Sequence, residues 1–431
     1  MKFYNKIILL FALVLTFSSC EDFVGGDINA DPNNPLNVPV NAQLPSIQIN
    51  IADVYGGAFS RFNSMLCQQT EGVARQWSSF NQYTGLTPNR FDAAWTNVYE
   101  NVLNEIKIAQ ASSELNGFNH YLGVFNTLEA FTLMVSTDVW DDMPYSEALK
   151  GIDNTAPTFD SQASIYAKIY ELLSSAETLF NGPSGPVSPG SDDVFYGGNI
   201  GNWIKAVNGI RARGLLHEGN YADAMAAAMN SFSSAGENFA FQYPDANAAG
   251  QWYRFNRDRT GDLEFHPTMR GIMTDLNDTL RLAMYDQVFE PGHPYMIAAF
   301  DQEMVTYREM QFLIAECAMR TGSGDMMTAY TNGITASFER AGVSGASDYI
   351  AQSAVSGSVD LTAIMTQKYL GLYLQPEVYS DYRRTNIPNL TPVSGANVPV
   401  RWDYSSDEYL FNSNLVEGSV DVYNDRVGWN R

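Results

Sequence analysis

The sequence predicts a mainly α fold, a tetratricopeptide-like scaffold of helical hairpins with a loop-rich subdomain packed against it. Three observations carry this prediction. Apolar residues recur at helical spacing in successive pairs of segments, glycine or asparagine breaks separate the members of a pair, and helical patterning is far commoner than strand-like alternation. No strict sequence period accompanies the recurrence.

In chain order, residues 1–19 read first as an export signal. Lys2 and Lys6 precede the apolar run Ile7 to Leu15, followed by Ser18, Ser19 and Cys20. The run is too short for a permanent membrane span. Phe17-Ser18-Ser19-Cys20 resembles the lipobox of bacterial lipoproteins, which implies a mature chain anchored by acyl groups on Cys20. Glu21 and Asp22 follow, as in Bacteroidetes lipoproteins that reach the outer surface. Pro32, Pro35, Pro39, Gly25 and Gly26 mark residues 20–44 as an extended tether, with the folded domain expected over 45–431.

The helical hairpins are predicted over about 48–234 and 301–385. Ala94, Trp95, Val98, Val102, Ile106 and Ala109 form one apolar stripe, and beyond Asn116-Gly117 the stripe Leu122, Phe125, Leu128, Phe131 and Val135 forms its partner. A second pair is Ile165 to Leu179 with Trp203 to Leu215, joined by a Gly/Pro/Ser-rich loop at 182–190. Tyr221 to Phe232 follows Gly219. A later pair is Met304 to Ala318, ending at Gly322, with Met327 to Phe338. Stretches 235–300 and 386–431 break the pattern with Pro, Gly, Asn and aromatics, and surfaces that bind are built disproportionately on such loops.

Charge narrows the function. The chain carries −23, and loss of residues 1–19 removes two lysines and no acid, leaving −25. Such a field repels nucleic acid and anionic headgroups and disfavours dense polyanions, so a neutral ligand fits better. It also suits saline surroundings. Cys67 and Cys317 lie in apolar helical stretches and read as two small core residues rather than a staple. His120, His217, His266 and His293 share no metal-ligand spacing, and neither a nucleophile elbow nor a phosphate-binding loop is present. Asp27 to Asp31 begins like a calcium loop, but Pro32 stands where the turn needs glycine. No cofactor is expected.

Several motifs together resemble the SusD/RagB lipoproteins. They are Asn29-Ala30-Asp31-Pro32-Asn33-Asn34-Pro35, Thr137 to Ala148 (TDVWDDMPYSEA), Arg211-Ala212-Arg213, and Gln367-Lys368-Tyr369 running to Asp381-Tyr382-Arg383-Arg384. Val398 to Tyr404 (VPVRWDY) with Glu408, and the closing Val427-Gly428-Trp429, complete the set. The set spans nearly the whole mature chain, with Trp140-Asp141 and the Gly428-Trp429-Asn430 ending departing from the usual pattern. The resemblance implies a lid over a SusC-like TonB-dependent outer-membrane transporter that captures oligosaccharide at the cell surface and delivers it without chemistry of its own. Asp138, Asp141, Asp142 and Glu147 could be taken for a hydrolase pair, but a cluster of acids at a helix end more often closes a loop.

Sugar recognition needs an aromatic face for the ring's C–H groups and amides or charges for its hydroxyl rim. Trp95, Trp140, Trp203, Trp402 and Trp429 belong to apolar stripes or to the motifs and are expected in the core. Trp77 with Phe80 and Tyr83, and Trp252 with Tyr253 and Arg254, lie instead in polar stretches and are the candidate ligand-binding residues. Aromatics so placed either meet a ligand or plug the space beneath a loop, and the sequence leaves both open. A neutral glycan such as a laminarin-type β-glucan is the favoured ligand. A peptide lid of the RagB type would call for polar grooves that satisfy backbone groups, and a surface glycoside hydrolase for two carboxylates facing one cleft.

Overall fold

The computed structural model describes residues 38–394 and 397–430. The export signal, Cys20, the acidic residues after it and the tether up to Asn37 lie outside that range. The folded body begins before Pro45, however. Helix α1 (Val40–Val54) already buries Val40, Gln43, Leu44, Ile47 and Ile51, with Pro45 inside it. Pro45 forgoes one backbone bond, a loss outweighed by burying three large aliphatic side chains at about 1.5–3 kcal/mol each.

A π-turn at Tyr55–Phe59 leads from α1 into α2 (Ser60–Leu66). Gly56 in that turn lies against Gln302, whose amide oxygen would be 2.0 Å from a Cβ there, so the close approach requires glycine. Short helices α3 (Arg75–Asn81) and α4 (Asp92–Thr96) follow, and a second π-turn opens α5 (Asn104–Asn116). Gly117, with φ +68°, ends α5 and turns the chain into α6 (Asn119–Trp140).

Helix α6 is buried on nearly every side from Tyr121 onward and is the axis of the core. Helix α7 (Gln162–Asn181), capped by the Ser161 hydroxyl, packs along it. Helices α8 (Ile200–His217) and α9 (Tyr221–Met229) form the next hairpin. After an excursion through residues 230–306 the chain returns as α13 (Tyr307–Thr321), which packs on α9 and pairs with α14 (Met326–Ala341). The hairpin stack predicted from spacing is therefore present.

The excursion is more structured than its loop-like composition implies. It holds α10 (Gln251–Asp258), α11 (Pro267–Asp275) and α12 (Thr279–Tyr285). Its strands are short and pair antiparallel with distant segments, Thr70–Gly72 with Leu263–Phe265 and Phe239–Phe241 with Gln302–Val305. Their partners supply what local alternation could not.

Trp95, Trp140, Trp203 and Trp402 are buried as predicted, whereas Trp429 is half-buried against His217. Cys67 and Cys317 are buried free thiols. The separated motifs converge on a buried network of charges. Arg213 pairs with Glu309 at 2.6 Å, His217 with Glu377 at 2.7 Å, and Lys368 with Asp381 at 2.8 Å, while Arg384 bridges Asp381 and Glu316. Desolvated charges are costly unless paired in this way. Asp138 accepts from Tyr166 at 2.5 Å and from the Trp429 indole at 2.8 Å. Asp141 accepts from the Gly428 N–H, Asp142 from the Gln162 N–H at the start of α7, and Glu147 from Thr158. These four acids tie loops and helix ends together.

Candidate functional site

The two aromatic segments, far apart in sequence, meet. Helix α3 carries Trp77 and helix α10 carries Phe255, and their rings pack edge to face with centroids 5.2 Å apart. Phe62 of α2 supports Trp77 from below, with centroids 6.0 Å apart. Arg61, whose guanidinium covers the Phe255 ring, also lines a cleft of about 210 Å³ between α1, α4 and α10, with Asn50, Asp53, Asn97, Gln251 and small residues. Gly57 in the π-turn lies against the Gln251 side chain.

The six sequence candidates divide. Trp77 is half-buried, Tyr253 is half-buried beneath the Arg257 guanidinium, and Arg254 is 40 % exposed. Phe80, Tyr83 and Trp252 are instead core residues, which corrects their placement among accessible platforms. Phe80 stacks on Phe62, Tyr83 donates its hydroxyl to the Leu66 carbonyl, and Trp252 donates its indole N–H to Ser60. Their polar flanks do not lift them out, because each ring fills space beneath the short helix or turn that bears it. No sugar ring stacks on them without opening the core.

Asn50, Asp53, Arg61, Asn97 and Gln251 were not singled out by sequence. The first four lie on α1, α2 and the π-turn after α4, where apolar positions dominate the pattern, and only folding brings them to Gln251 at the start of α10. The amides of Asn97 and Asn101 bond each other, and Asn50 donates to the Asn101 carbonyl. Asp53 accepts from Tyr243 at 2.7 Å and from Arg254 at 2.5 Å.

Arg61 differs from the other cleft residues. Its guanidinium lies over the Phe255 ring at 4.9 Å, and no ion pair with a carboxylate is formed among the described residues. Burial, reinforced by the neighbouring Arg254 charge, pushes its pKa down to about 10. The Nε atoms of Arg61 and Arg254 and the indole N–H of Trp77 are buried without an acceptor. The arrangement joins a half-buried aromatic pair, through the Arg61 guanidinium over Phe255, to a cleft lined by amides and that guanidinium, groups that can meet a hydroxyl-rich ring. Larger clefts lie elsewhere, among them one of about 810 Å³ lined by Phe159, Tyr404, Asn414, Asn424 and Arg401 and one of about 690 Å³ lined by Asn41, Asn116 and Tyr121.

Among the described residues no group of three or more His, Cys, Asp or Glu is placed to hold a metal ion. No described helix is long and apolar enough to cross a membrane.

The family model described as SusD-like, starch-binding associating with outer membrane, matches residues 32–294 and 286–405. Among solved structures, a SusD/RagB family protein from Bacteroides thetaiotaomicron superposes with a TM-score of 0.76 at 18 % identity, covering 91 % of this chain and 99 % of its own. A chitin-binding protein gives 0.75 at 22 % identity, with 91 % and 100 % covered. A chitin-binding SusD homolog from Flavobacterium johnsoniae gives 0.72 at 20 % identity, with 91 % and 98 % covered. No curated protein matches the chain.

Proposed function

The chain belongs to the SusD-like family of starch-binding proteins that associate with the outer membrane, and on that premise we propose that it is a cell-surface glycan-binding lipoprotein. Anchored through Cys20 and facing the cell exterior, it captures oligo- or polysaccharide and passes it to a SusC-type TonB-dependent transporter. It performs no chemistry on the ligand. The observation that carries this reading is the Trp77–Phe255 aromatic pair together with Arg61, which covers the Phe255 ring and lines the cleft of Asn50, Asn97 and Gln251. Tyr253 and Arg254, also accessible on α10, extend the same surface.

A neutral polymer backbone suits the net charge, with a laminarin-type β-glucan as the favoured example and chitin, named for two structural neighbours, as its competitor. Calorimetric titration of the purified protein against laminarin, chito-oligosaccharides, an α-glucan, alginate and a mixed peptide library tests the reading. Binding of one neutral glycan supports it. Binding of peptides alone moves the protein to peptide import, and a preference for alginate overturns the charge argument.

A further inference from the structure

We propose that the cleft beside Trp77 is built for a neutral glycan carrying one isolated acidic unit, whose carboxylate seats against Arg61. This rests on the glycan-capture reading above and names the ligand class it implies.

The chain has 48 acidic residues against 25 basic ones, so an arginine drawn out of water should find a carboxylate easily. Arg213, Arg281 and Arg308 all do, at 2.6–2.7 Å. Arg61 does not. Asp53 lines the same cleft, but it is bonded to both Arg254 and Tyr243. The Arg61 guanidinium is held in place by the Phe255 face, and Arg254 nearby adds positive potential rather than relieving it.

A half-buried cation left without a counter-ion costs free energy in the empty protein, and such costs persist where a ligand removes them. A planar guanidinium is the donor best matched to a carboxylate, and the pair forms strong charge-assisted bonds. Burial and Arg254 lower the pKa of Arg61, and a bound anion reverses both the isolation and that shift. The cleft holds one unpaired cation, and the surrounding surface is strongly acidic. One carboxylate is therefore accepted where a uronate at every unit is repelled.

The test uses matched pairs of laminari-, malto- and xylo-oligosaccharides, each neutral or with its terminal unit oxidised to or replaced by a uronate. Wild type, Arg61→Gln and Trp77→Ala are titrated with each pair. For the pair that binds, the acidic form should bind about tenfold more tightly, as one charge-assisted contact provides. Arg61→Gln should abolish that preference by costing the acidic form about tenfold more than the neutral one, and Trp77→Ala should weaken both forms. Equal or weaker binding of the acidic form, or equal loss of both forms in Arg61→Gln, overturns the proposal and leaves glycan capture standing. No binding of any pair, or binding indifferent to Trp77, overturns the site itself. Without ligand, Arg61→Gln should melt at or above the wild-type temperature. A fall of several degrees would make Arg61 a structural residue and overturn the proposal by a separate route.

Discussion

Trp252 donates its indole N–H to the hydroxyl of Ser60 at 2.9 Å, and that hydroxyl donates in turn to the carbonyl of Leu374 at 2.5 Å. This chain of bonds crosses the core and pins α10 to α2. It holds the Phe255 end of α10 against Trp77, so one tryptophan of the two segments is closed in the core and the other is left half-buried.

Trp252→Ala should therefore destabilise by about 3–5 kcal/mol, the range for emptying a buried aromatic site. Trp77→Ala should weaken glycan binding by about tenfold, because ring stacking contributes on the order of 1 kcal/mol beyond area burial. Its melting temperature should fall much less than that of Trp252→Ala. Thermal melts and titrations of both variants check the contrast, and similar losses of stability would refute the assignment of Trp77 to the surface.

The buried histidine predicts a pH dependence. Burial penalises the His217 cation, but Glu377 and Asp138 outweigh that penalty and push its pKa up to about 9. With the folded value above the unfolded one, the stabilisation is fully present below about pH 6.5 and is lost as pH rises toward 9. Glu377, whose burial is outweighed by His217 and Arg213, is held down to about 2 and keeps its contribution until far more acidic conditions. Urea midpoints of the wild type should fall between pH 6.5 and 9. His217→Phe, which takes one buried partner from each of two carboxylates, should be clearly less stable than wild type at pH 6 and nearer to it at pH 9.5. A wild-type midpoint that rises across that window would contradict the network.

Cys20→Ala should yield a folded protein released from the membrane fraction, since stable attachment needs several acyl chains and the acidic body is repelled by anionic headgroups. Surface labelling of intact cells checks this. Retention of the variant after a high-salt wash would show that something other than the lipid holds it.

No glycan that binds should be cleaved. Asp138 and Glu147 are engaged by Tyr166, Trp429 and Thr158, so Asp138→Asn is expected to lower the melting temperature and leave the absence of product unchanged. Chromatography after long incubation measures this, and any product that disappears in that variant would establish a hydrolase.

The order of residues determined the helices, the breaks between them and the family. Stripes such as Ala94 to Ala109, the positive-φ glycines Gly117 and Gly322, and motifs such as Thr137 to Ala148 are local, and local patterns specify secondary structure and capping directly. The start of the body was misplaced because Pro45 reads as a break, and only burial of its neighbours against other helices overrides that reading. The accessibility of an aromatic was beyond local pattern altogether. Phe80 and Trp77 are three residues apart in one polar stretch, yet Phe80 stacks inward on Phe62 and Trp77 is left half open beside Phe255. Which of them meets solvent depends on a helix nearly two hundred residues away, as does the isolation of Arg61, whose missing counter-ion exists only as a relation among α1, α2 and α10 once the core has closed.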